Sequence, residues 1–156
     1  MKANLIPVVI AALLLSIIPI NANPAPVTVD NTYTFSGSFG LQNPCNGELT
    51  NGPITIRIVV TTTTTGNGDV KVNVHHTSHG TLTGNQGGEY QVSRHAKGQF
   101  DAISNEYVIP WTGEFVGKGD TPNFSADATL RVFTNANNEP IGSQGLAPVT
   151  RTCNQP

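Results

Sequence analysis

Three histidines, His75, His76 and His79, fall within five residues, and imidazole is the commonest protein ligand for a transition metal. Their spacing argues against a shared ion. In an alternating Val/His segment, His75 and His79 share a strand face but stand about 13 Å apart, while His76 points to the opposite face. Chelation would need His95, Glu106, Glu114 or Asp127 from a neighbouring strand, so the sequence supports neither a metal site nor a cofactor. The only thiols, Cys45 and Cys153, show no zinc-ligand spacing. No Gly-x-Ser-x-Gly elbow occurs, and paired cysteines would leave no thiol nucleophile. Two carboxylates from Glu48, Glu89, Glu106, Glu114 and Asp127 could converge for acid–base work, yet no spacing selects a pair.

In-phase polar residues say more. His76 continues the face of Val70, Val72 and Val74, and Arg94 sits between Val92 and Ala96 on the apolar face of its own segment. If those faces line an interior, an imidazole and a guanidinium point inward. A buried arginine must then meet a carboxylate, water or a bound anion. Tyr107 and Trp111, alternating on another segment, could wall such a pocket, which makes His76, Arg94, Tyr107 and Trp111 the candidate ligand-binding residues. The alternative places both polar residues at strand ends, snorkelling to water.

The elements that must position them alternate with period two. Val27, Val29, Tyr33 and Phe35 share a face, as do Ile54, Ile56, Ile58 and Val60, and Tyr90, Val92, Ala96 and Phe100. Further strands are expected over 106–116 and 123–134, with a short last strand carrying Cys153. The Thr61–Thr65 run suits a half-exposed strand, since threonine is β-branched. Turn chemistry separates these runs at Asn46-Gly47, Asn51-Gly52, Gly66–Gly68, Gly84–Gly88, Gly117–Asp120 and Asn135–Asn138, and Gly80 reads as a further turn. No segment has a helical apolar period. The expected fold is all-β, an antiparallel meander of about eight strands, with a closed barrel preferred to a two-sheet sandwich. Ile56, Ile58, Val72, Val74, Val92, Leu130 and Val132 should share its core, with Thr55, Lys71, Gln91, Ser93 and Arg131 outside.

Lys2 followed by the apolar run Leu5–Ile20 and closed by Ala22 reads as a secretory signal peptide over 1–22, leaving one domain over 23–156. The run is shorter than the roughly 20 residues of a spanning helix, so the mature chain should not cross the membrane. An outer-membrane barrel would need an apolar outer face on every strand, whereas one face here is Thr, Ser, Asn, Gln and Lys. The net charge of −2 becomes one unit more negative once Lys2 is removed, and no basic cluster exists to meet nucleic-acid phosphates. Export to an extracellular or periplasmic space suits a Cys45–Cys153 disulfide, the alternative being two buried free thiols.

The stretch Asn43-Pro44-Cys45-Asn46-Gly47-Glu48, a Thr/Val-rich strand, Gly66-Asn67-Gly68, the strand ending His75-His76-Thr77-Ser78-His79-Gly80, and Gly84–Tyr90 together resemble secreted bacterial β-proteins. That family carries a Cys-(Asn/Thr)-Gly-Glu start, a His-bearing central strand and a late cysteine. It has no assigned activity, so the resemblance implies export, β architecture and the Cys45–Cys153 pairing, and transfers no catalytic residue. The resulting expectation is a secreted, non-enzymatic β-barrel binding a small, partly apolar ligand. The alternatives are a structural or interaction module at the cell surface and a barrel enzyme of isomerase or cyclase type.

Overall fold

A computed structural model describes residues 24–154; the expected signal peptide lies outside them. Seven strands follow one another: β1 (Val27–Gln42), β2 (Leu49–Thr64), β3 (Val70–Gly84), β4 (Glu89–Phe100), β5 (Glu106–Gly117), β6 (Phe124–Thr134) and β7 (Pro140–Cys153). Each pairs antiparallel with its chain neighbours in one sheet, so the topology is a pure meander. The sheet curls into an open half-barrel whose concave side holds the core. No helix interrupts it among the described residues.

The strand count departs from the expected eight, and no β1–β7 ladder closes the barrel among the described residues. Six successive reversals leave β1 and β7 running the same way, so closure would demand a parallel pair in place of the antiparallel one an even count allows. The two edges are stitched instead. At one end Cys45 and Cys153 form the expected disulfide, with Cα atoms 5.1 Å apart and a sequence separation of 108. Beside it Arg151 Nη1 donates to the Gln42 carbonyl at 3.4 Å. At the other end Asn31 Nδ2 donates to the carbonyl of Asn138 at 3.2 Å. Between these stitches the edges stay unpaired, and β7 breaks register with β6 between Asp127 and Thr129.

The period-two reading placed the core correctly. Ile56, Ile58, Val72, Val74, Val92, Leu130 and Val132 are all buried, together with Tyr90, Ile109, Phe115 and Phe124. Edge position overrides pattern in β1, where Val27, Val29 and Tyr33 stay exposed because no strand covers them. Two expected turns are absent: Asn51-Gly52 lies within β2, and Gly80 lies within β3. Those glycines serve close approach, since a Cβ on Gly52 would come within 2.9 Å of Leu82 Cα, and one on Gly80 within 2.9 Å of Ile54 Cα. The last strand is also not short: β7 (Pro140–Cys153) pairs with β6 from Pro140 to Cys153, with shifts in register, in spite of its glycines and prolines.

Buried polar joints hold the rims. Glu48, only 1% exposed, accepts from the backbone N–H groups of Gln86 and Gly88, each at 2.9 Å, and from the Tyr90 hydroxyl at 2.6 Å. A Cβ on Gly84 or Gly88 would strike this carboxylate, so the β3–β4 turn is glycine-rich to let it in. The hydrogen bond from Tyr90 leads in holding its pKa below the ordinary value, against the opposing cost of burial at this thinly covered rim. At the opposite rim Asn138, with φ of 59°, accepts from the Tyr107 hydroxyl and donates to Thr62 Oγ1, both at 2.7 Å.

Candidate functional site

Antiparallel register sets one transverse row of inward residues, Ile56, Ser78, Arg94, Gly113 and Ala126, beside a second, Ile58, His76, Ala96, Trp111 and Ala128. Both rows are dominated by small residues where they cross β4 to β6. Side chains therefore cannot fill the concave side at mid-height, and a cavity of about 400 Å³ remains. Phe39 and Leu41 of β1, Ile54 and Ile56 of β2, and Leu146 and Val149 of β7 supply its apolar walls, while His76, Arg94 and Trp111 border it from the sheet. Its lining residues from β1 and β7 lie on either side of the unladdered seam. Gly113 leaves room for the arginine stem, since a Cβ there would sit 3.0 Å from Arg94 Cγ and 2.7 Å from Trp111 Cζ3.

Arg94 is 8% exposed, and its Nε donates to Ser78 Oγ at 2.7 Å. The guanidinium carbon stands 3.9 Å from the Phe39 ring centroid and 5.4 Å from that of Trp111, a stacking that favours a desolvated cation. Among the described residues the ion pairs are Lys118–Glu89 and Arg131–Glu106, so no carboxylate answers Arg94. Burial pushes its pKa down to about 10, which leaves it charged at neutral pH. His76, 2% exposed, has no hydrogen-bond partner at either ring nitrogen. Burial first, and the Arg94 cation second, push its pKa down to about 4, so the ring is neutral at pH 7.

Family models, characterised proteins and solved structures show no match to this chain. The site must therefore be read from its own atoms.

Three of the four candidate residues, His76, Arg94 and Trp111, come together at the cavity. Tyr107 does not. Although it shares the inward face of β5 with Trp111, it lies toward the other rim, packed 4.7 Å from the Phe100 ring and bonded to Asn138. His75 and His79 lie exposed on the convex face, and no group of three metal-ligating side chains forms among the described residues. Phe39 and the β7 segment 143–149 were missed in the sequence. Phe39 continues the phase of Val27, Val29, Tyr33 and Phe35, a signal that could have found it, whereas β7, interrupted by Gly142, Gly145 and Pro148, has no alternation to read.

Proposed function

We propose that this chain is an exported binding protein for a small, partly apolar ligand, held in the concave cavity and admitted through the β1–β7 seam. The cavity carries the reading. Its volume falls in the lower part of the range for small-molecule sites, about 300–1,000 Å³, and its apolar walls surround a few polar groups. A purely structural half-barrel gains nothing from leaving this volume unfilled beside a charged arginine and an unpartnered histidine. The disulfide fits an oxidising extracellular or periplasmic compartment, which supports export. An isomerase or cyclase would want an acid–base group poised near the working pH, whereas His76, at about 4, is poorly matched to neutral conditions.

Native mass spectrometry of the protein isolated from its own host tests the reading. The wild type should carry one small noncovalent adduct. Gly145→Phe should lack it while melting like wild type, because Gly145 lines the cavity and a Cβ there meets nothing within 4 Å. A bare wild-type chain, or the same adduct on both proteins, would overturn the proposal.

A further inference from the structure

The polar end of the ligand is specified by a charge that the protein leaves unanswered. Among the described residues every carboxylate except Glu48 sits at an outward strand position or in a turn, and Glu48 is saturated by Gln86, Gly88 and Tyr90 at the rim. The cavity lining therefore holds one cation, Arg94, and no anion to balance it. Ser78 occupies only Nε of Arg94, so the edge formed by the two Nη groups keeps its donors for whatever enters the cavity. Two parallel N–H groups match the two oxygens of a carboxylate.

Resting on the small-ligand reading above, we infer that the cavity takes an apolar-bodied monocarboxylate whose charged group lies in a bidentate pair against the Nη edge of Arg94. One cation in a poorly solvated pocket balances one negative charge, and a dianion such as a phosphate monoester would carry its second charge unpaired. A neutral ligand would leave the guanidinium as it stands, and a cation would add repulsion. Phe39 fixes the guanidinium plane from one face, which orients the fork before binding. Ile54, Leu130, Leu146 and Val149 offer the ligand's body apolar contact, and Ser38, Ser143 and the neutral His76 add the uncharged polar part of the lining.

Calorimetric titration of the intact, oxidised protein with matched probes decides the matter. Decanoate and naphthoate are each compared with their neutral amides, decanamide and naphthamide, which share shape but lack charge. At least one acid should bind roughly tenfold or more tightly than its amide, the range expected for a charge-assisted pair. Arg94→Gln should bring that acid to the level of the amide. Equal or tighter binding of the amides to wild type overturns the carboxylate inference while leaving a small-ligand cavity in place. Failure of all four probes to bind also overturns this inference, while the small-ligand reading stands or falls separately on the native mass spectrum. The acid–amide comparison on wild type needs no variant, so a poorly folding Arg94→Gln would not blunt it.

Discussion

Replacing Glu48 by glutamine changes one atom and should destabilise the protein far more than a surface substitution. The carboxylate receives three donors, and the Tyr90 hydroxyl that supplies the shortest bond also accepts from Asn43 Nδ2 at 2.9 Å. With glutamine in place, one oxygen can still face Gln86 and Gly88, but the amide NH2 then confronts Tyr90. The hydroxyl would meet two donors and lose the acceptor for its own hydrogen. One charge-assisted hydrogen bond is lost and one buried donor is stranded, together about 2–4 kcal/mol. At about 4 °C per kcal/mol for a domain of this size, Glu48→Gln should melt about 8–16 °C lower by circular dichroism. Tyr90→Phe should cost less, because the carboxylate keeps both backbone donors. A carboxylate pKa held below its ordinary 4.5 contributes stability that is present above 4.5 and lost as pH falls through the lowered value, so Glu48→Gln should also blunt acid sensitivity in that range. A Glu48→Gln melt within about 2 °C of wild type would refute the reasoning, since surface-like tolerance means within ±0.5 kcal/mol.

The histidine acts in a higher pH window. With a folded pKa of about 4 against an ordinary 6.5, His76 is protonated more readily when unfolded, so wild-type stability should fall by about 3 kcal/mol as pH drops from 6.5 to 4. Urea titrations should show a flatter profile for His76→Phe, and parallel profiles would contradict the assignment. Replacing Cys45 and Cys153 together by serine should lower the urea-derived stability by roughly 3–5 kcal/mol, as expected for a bridge closing a loop of this length; a loss below 1 kcal/mol would show that the seam is held by other contacts. Ile58→Ala and Val72→Ala, at sites with 0% exposure, should cost on the order of 1–4 kcal/mol, whereas Lys71→Ala and Gln91→Ala should stay within roughly 0.5 kcal/mol. Equal losses in both sets would mean the strand phase is wrong.

Much of this was legible from strand phase. Period two assigned the inward face of β2 to β6, and with it the burial of His76 and Arg94, because a residue between Val92 and Ala96 has no other side to occupy. Phase carries no information about height along the barrel axis, which is set by strand register. Tyr107 and Trp111 share a face of β5, yet register with β6 sets Tyr107 beside Val132 near one rim and Trp111 beside Ala128 at the cavity. The missing carboxylate partner of Arg94 was equally hidden, since an ion pair depends on residues distant in the chain. Closure failed for a countable reason. Treating Asn51-Gly52 and Gly80 as turns cut continuous strands, and an even number of strands implied an antiparallel seam that the seven observed do not provide.

A crystal structure of the protein purified from its own host tests the central claim most directly. The account predicts a bound small molecule between β1 and β7, with an anionic group at hydrogen-bond distance from the Nη atoms of Arg94 and an apolar body against Ile54, Leu146 and Val149. Phe39, Leu146 and Val149 collapsed together over Arg94 with no volume left, or a protein carboxylate paired with its guanidinium, would contradict it.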